Sequence, residues 1–115
     1  MNWISLTNSN QLEELIKSSV FKPVLIFKHS TRCGISRMVL KSFEREFNLN
    51  ENEIDLYFLD LLNYRSLSQE ISLKFNVAHQ SPQVLVIKNG AVIYHDSHNA
   101  INSKDIEMVI NKEQP

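Results

Sequence analysis

Residues 23–37 read Pro-Val-Leu-Ile-Phe-Lys-His-Ser-Thr-Arg-Cys-Gly-Ile-Ser-Arg, and the organisation of this stretch decides the fold. Pro23 to Phe27 is a short, continuous, partly β-branched apolar run, the pattern of a strand buried on both faces. Lys28 to Arg32 is polar and reads as the loop leaving that strand. Beyond it, Ile35, Val39, Phe43 and Phe47 recur every four residues with Leu40 alongside, which predicts a helix from about Cys33 to Phe47. Cys33, the one cysteine of the chain, therefore stands at a strand-to-helix junction. The backbone N–H groups of Gly34, Ile35 and Ser36 lack intrahelical partners there. Together with the helix dipole, and with Arg32 and Arg37 nearby, they favour negative charge on the sulfur.

Working outward, Asn10 followed by Glu13 opens a helical pattern in which Leu12, Leu15 and Ile16 share a face. It should end near Lys22-Pro23, because the residue before proline disfavours the α region. Ile54 to Leu59 is a second strand. Ser66, as N-cap, opens a third helix facing inward through Leu67, Ile71 and Phe75. Ser81-Pro82 precedes a third strand, Gln83 to Ile87, and Asn89-Gly90 is a hairpin signal joining it to Ala91–His95. A last helix starts near Ser103, with Ile106, Val109 and Ile110 inward. The order α-β-α-β-α-β-β-α implies an α/β protein: a parallel β-α-β unit followed by an antiparallel hairpin. It resembles the thioredoxin-like fold, a four-stranded mixed sheet flanked by helices on both faces. In that fold a cis-proline precedes the third strand and faces the active cysteine, which is the place of Pro82.

Composition narrows the function. The 115 residues suit one domain, 1–115, which at 43% hydrophobic can bury a core without disulfide staples. A lone cysteine argues against a secreted disulfide scaffold and fits a reducing compartment. A net charge of −1 provides no basic field for nucleic acid or anionic membranes. The N-terminal residues have no signal-peptide pattern, and the apolar runs are too short to span a bilayer, so the expected location is cytoplasmic. The histidines His29, His79, His95 and His98 do not form a zinc pattern with Cys33, and no metal is expected. Trp3 reads as an apolar anchor.

Two motifs carry a more specific resemblance. Lys28-His29-Ser30-Thr31-Arg32-Cys33-Gly34-Ile35-Ser36 is similar to the active-site segment of the YtxJ family, the monothiol bacilliredoxins. His79-Gln80-Ser81-Pro82-Gln83 resembles that family's His-x-Ser-Pro-Gln motif, and Ser97-His98 with Ile101 matches a weaker C-terminal pattern. The resemblance implies thiol–disulfide exchange with bacillithiol, or another low-molecular-weight thiol, as co-substrate and no bound cofactor. It implies S-thiolated proteins as clients and a recycling redoxin or reductase as partner. Cys33 is then the redox cysteine, Ser36 holds the place of a second cysteine with a hydroxyl able to reach the sulfur, and Pro82 is the cis-proline. Thr31, Arg32, Gly34, Ser81 and His29 are the expected substrate-binding residues. Gly34 departs from the family, many of whose members carry proline there.

Two rivals remain. Cys33-Gly34-Ile35-Ser36-Arg37 also resembles the Cys-x-x-Ser-Arg start of thioredoxin-fold arsenate reductases, although downstream of Arg45 only Arg65 remains to hold an oxyanion. Some one-cysteine relatives of the fold bind iron–sulfur clusters between two subunits, with an external thiol completing the ligation, and a redox-sensing adaptor would share the same residues.

Overall fold

The computed structural model describes residues 1–113. Its elements run β1 (Ile4–Ser5), α1 (Ser9–Ser18), β2 (Val24–His29), α2 (Gly34–Glu46), β3 (Asp55–Asp60), α3 (Arg65–Phe75), β4 (Gln83–Lys88), β5 (Ala91–Ser97), a 3₁₀ turn (His98–Ala100) and α4 (Ser103–Glu113). They form one mixed sheet ordered β1-β3-β2-β4-β5. β1, β3 and β2 are mutually parallel, and β4 runs antiparallel to both β2 and β5. The sheet has five strands instead of four. The added β1 is two residues long and exposed on both, so it carries no hydrophobic period. Trp3 holds it in place, with its ring 5.9 Å from Phe27 and its indole N–H donating to Glu44 at 2.9 Å.

Alternation along β2 divides the core. Val24 and Ile26 face Leu12 and Leu15 of α1 and Leu67 and Ile71 of α3. Leu25 and Phe27 face Phe43 of α2 and Ile106 and Ile110 of α4. Each fully buried side chain of this size contributes roughly 1.5–3 kcal/mol, which fixes β2 as the central strand. The Asn89-Gly90 turn has positive φ at both residues (54° and 75°), as a two-residue type I′ hairpin requires. β5 carries an extra residue, Ile93, opposite Val86/Ile87, and continues to Ser97.

Three expectations about local structure are corrected. Helix α1 is capped by Asn8, whose side chain accepts the Gln11 N–H at 2.9 Å, so the helix starts before Asn10. Ser66 lies inside the first turn of α3, and Tyr64 is the N-cap without a side-chain bond. Lys28 and His29 are strand residues, not loop. Ladder pairing of His29 with Asp60 and of Lys28 with Gln83 extends β2 through both of them and buries both side chains.

Candidate active site

Cys33 is the N-cap of α2, with extended backbone (φ −95°, ψ 119°) and a half-buried side chain. Its N–H donates to the Ser30 carbonyl at 3.1 Å and its carbonyl accepts the Arg37 N–H at 3.1 Å, which fixes the turn on both sides of the sulfur. The side chain makes no capping bond, so the sulfur is not committed to the helix. Thr31, Arg32 and Gly34 are exposed around it. The Arg37 guanidinium folds back onto the loop and donates to the Thr31 carbonyl at 3.0 Å.

Ser36 sits beneath this loop, fully buried. Its hydroxyl lies 2.6 Å from His29 Nδ1 and accepts the Ser30 N–H at 3.2 Å. Among the described residues it has no bond to the Cys33 sulfur, so the contact suggested by the Cys-x-x-Ser spacing gives way to one that anchors the loop. His29 is only 4% exposed and its ring faces Ser36, inside the fold and away from the surface where a substrate contact was expected. Burial lowers its pKa. Arg37 adds to the lowering, and the carboxylates of Asp60 and Glu44 oppose it. The neutral ring shares one hydrogen bond with the Ser36 hydroxyl through Nδ1, and the same hydroxyl accepts the Ser30 N–H.

Because β4 is antiparallel to β2, its first residue lies beside the last residues of β2, and Pro82 enters at the sheet end where Cys33 leaves. The Ser81–Pro82 peptide is cis. Pro82 is buried, and its carbonyl accepts the His98 N–H at 3.0 Å, joining this loop to the 3₁₀ turn. The Gln83 side chain donates to the Ala78 carbonyl at 2.9 Å and ties the preceding loop to the strand.

On the α3 side of the same sheet end lies a cavity of about 250 Å³, lined by Ser30, Arg65, Ser68, Gln69, His79 and Ser81, with Leu61 and Leu62 behind. Lys28 stands under its Ser68 wall. Its side chain is fully buried, and its ammonium donates to the Ser68 carbonyl at 3.2 Å and the Ser72 hydroxyl at 3.3 Å. Burial lowers its pKa to about 8, which still leaves it mostly charged at neutral pH. His79 Nδ1 pairs with the Ser68 hydroxyl at 3.1 Å, and its pKa is lowered by burial and by the charges of Lys28 and Arg65. Lys28, Arg65 and Ser68 were not singled out from the sequence as site residues. The signals were the continuation of the Val24-Ile26-Lys28 face and the i, i+4 pair Ser68/Ser72, which becomes readable once α3 is placed over that face. Among the described residues, no cluster of three or more His, Cys, Asp or Glu side chains is arranged to hold a metal ion, and no helix is long and apolar enough to cross a membrane.

A thioredoxin-fold sheet with a single, half-exposed cysteine at the start of α2 defines a redox protein of the thiol–disulfide class. The chain belongs to the monothiol bacilliredoxin BrxC family, whose model matches residues 4–106. It is similar to a solved structure described as a candidate oxidoreductase with a thioredoxin fold. The two share 33% identity over 92% of this chain and 91% of the other, with a TM-score of 0.78. Thioredoxins from Malassezia sympodialis (18% identity, 96% of this chain and 90% of that one, TM-score 0.72) and Trypanosoma brucei brucei (12%, 96% and 89%, 0.72) share the fold.

Proposed function

We propose that this protein removes or transfers a low-molecular-weight thiol, bacillithiol in cells that make it, on S-thiolated client proteins through a mixed disulfide at Cys33. The observation that carries the reading is the single sulfur. Cys33 is accessible at a helix N-terminus, and the position three residues on is a buried serine already engaged by His29 and Ser30. The Cys33 thiolate attacks the small thiol's sulfur in the client disulfide. The Cys33–small-thiol bond forms, and the client cysteine leaves as a thiolate and takes up a proton. Cys33 is thereby oxidised to the disulfide level and the client is reduced. With no second cysteine, this adduct persists until a second small thiol, or a partner redoxin or reductase, attacks it. Family membership and the reducing-compartment character of a one-cysteine chain support a cytoplasmic setting for this cycle.

The test mixes excess thiolated client with the protein and no resolving thiol. The expected outcome is one equivalent of client released and one adduct on Cys33 by mass spectrometry, with steady turnover restored by added small thiol. Cys33→Ser abolishes the reaction. Repeated turnover with no other thiol present rules out the monothiol cycle. The mass of the adduct on protein isolated from its native cell identifies the thiol.

A further inference from the structure

Helix α2 runs away from Cys33 with an outer face that its own stability does not call for. Arg37, Lys41 and Arg45 follow one another at four-residue spacing on its exposed side, and Arg32 stands next to Cys33 at its start. Like charges at i, i+4 weaken a helix, and a cation in the first turn opposes the helix dipole. That first turn holds no acidic residue. Among the described residues none of the four cations makes an ion pair. Arg37 and Arg45 donate instead to the Thr31 carbonyl and the Ser42 hydroxyl. Glu44, the one carboxylate between Arg32 and Arg45, is half-buried and accepts the Trp3 indole N–H. Glu46 lies about 100° around the helix from Arg45. The chain as a whole has a net charge of −1, so this positive stripe is local, and it leads to the reacting sulfur. Apolar surface lies within it. Met38 is 72% exposed between Arg37 and Lys41, and Ile35 is exposed one turn before it. From Met38 a groove of about 180 Å³ continues past Val39, Ser42, Asn99 and Ile101, between α2 and the 3₁₀ turn. An apolar centre rich in methionine and arginine is the composition of a protein-binding patch.

Resting on the exchange reading above, we propose that this face of α2 receives the client protein, and that preferred clients carry an acidic patch roughly 10–20 Å from the thiolated cysteine. The helix sets that span. At about 1.5 Å per residue, Lys41 and Arg45 lie about 12 and 18 Å along the axis from Cys33. Complementary charge steers the client onto the helix, and Met38 and Ile35 give it apolar contact once there. The exchange step is unchanged, and the surface sets which thiolated cysteines reach Cys33. A protein with no resolving thiol gains from such selection, because each wrong adduct persists until an outside thiol clears it.

The test uses peptides with one cysteine held in a disulfide with 2-mercaptoethanol, an uncharged thiol. Leucine stands two residues from the cysteine on each side. The third to sixth residues on each side are all glutamate, all glutamine or all lysine, which in an extended chain lie roughly 10–20 Å from the cysteine. Each rate of peptide release by the full-length protein is divided by the rate with free dithiothreitol, which removes the peptide's own charge effects. Each variant is referred to its own rate with bis(2-hydroxyethyl) disulfide. The glutamate peptide should react about tenfold faster than the glutamine one at low salt, the lysine peptide slower still, and the differences should shrink at high salt. Lys41→Glu with Arg45→Glu should remove the glutamate advantage. Lys17→Glu with Lys74→Glu makes the same change of net charge on α1 and α3, across the sheet, and should keep it. Met38→Gln should slow all three peptides several-fold. No slowing there leaves steering alone and overturns the docking contact. Equal loss in both double variants assigns the preference to net charge and overturns the docking face. Equal rates for glutamate and glutamine peptides, with bis(2-hydroxyethyl) disulfide still reduced, overturn it and leave the exchange reading intact; binding of a single-stranded oligonucleotide at the same salt then gives the stripe to nucleic acid. Absence of exchange with every disulfide removes the exchange reading, and this face with it.

Discussion

Lys28 and His29 are consecutive residues at the end of one strand, and they bury titratable groups on opposite faces of the sheet. On the α2 face, His29 meets Ser36 and loses its charge: burial lowers its pKa, and a neutral imidazole with a hydroxyl partner is inexpensive to keep inside. On the α3 face, Lys28 meets a carbonyl and a hydroxyl, and its pKa of about 8 leaves the ammonium charged at neutral pH. The difference separates two jobs at one sheet end. The neutral pair holds the Cys33 loop in shape. The charged residue keeps an ammonium inside the fold on neutral acceptors alone among the described residues.

The largest expected effect lies on the Lys28 side. Its pKa falls from 10.5 in the unfolded chain to about 8 in the folded one, so between these values the unfolded state binds the extra proton and stability rises with pH. The gain should approach roughly 2–3 kcal/mol between pH 8 and 10. Above pH 10 it is opposed, because Tyr57 and Tyr94 hold raised pKa values in the fold and lose stability as the unfolded phenols ionise. Lys28→Met should flatten this limb and leave the protein more stable at pH 7 by about 1–4 kcal/mol. Urea titrations at stepped pH check both. An unchanged slope in Lys28→Met would place the uncompensated charge elsewhere.

The neutral side is tested by Ser36→Ala. It leaves the Ser30 N–H and the buried His29 ring without their partner and should cost about 1–3 kcal/mol of stability. Adduct formation at Cys33 should slow by no more than roughly tenfold, about 1.4 kcal/mol, because the hydroxyl shapes the loop and takes no part in the bond change. Mass-spectrometric timing of the adduct measures this. Complete loss of reactivity in a folded variant would give Ser36 a chemical role that its bonds do not show.

A smaller effect should be visible in acid. His29 and His79 both have folded pKa values below the unfolded 6.5, so their contribution is fully present above pH 6.5 and is lost as pH falls through the folded values. His29→Asn keeps a hydrogen-bonding group near the Nδ1 position and removes the titration. Its acid limb in denaturant melts should be shallower than that of the parent, and His79 accounts for the remainder. An identical limb would show that His29 is not the group being charged.

These two residues also mark where sequence reading stops. The limits of α2, the hairpin at Asn89-Gly90 and the helix-start position of Cys33 follow from local signals, namely a four-residue apolar period, two turn residues and a polar break. Lys28 and His29 read as loop because they are polar, and their burial is decided by partners far along the chain: Ser68 and Ser72 for one, Ser36 and the β3 ladder for the other. The cavity was hidden for the same reason. Arg65, Ser68 and His79 come from α3 and the loop after it, and they meet only when α3 covers the Val24-Ile26-Lys28 face. Strand β1 was missed because two exposed residues show no period.

The smallest expected effect serves as the control for both sides, because it touches neither buried group. Gly34 opens α2, where proline is favoured: the N–H at the first helical position has no intrahelical partner to lose. The residue before a proline must be extended, and Cys33 already is, at φ −95° and ψ 119°. Space permits the ring's first carbon, since a Cβ at Gly34 would meet only the Arg37 guanidinium, at 3.9 Å. Gly34→Pro should therefore stabilise the fold by about 0.4–1 kcal/mol, mainly by removing freedom from the unfolded chain. Because that gain arises in the unfolded state, it should raise the stability curve equally at pH 6, 7 and 9 and leave the Lys28 and His29 limbs in place. Denaturant midpoints at these three values check it. A gain confined to one limb would mean that the helix start is coupled to one of the buried groups, and that the loop at Cys33 and the charge beneath the cavity are not independent.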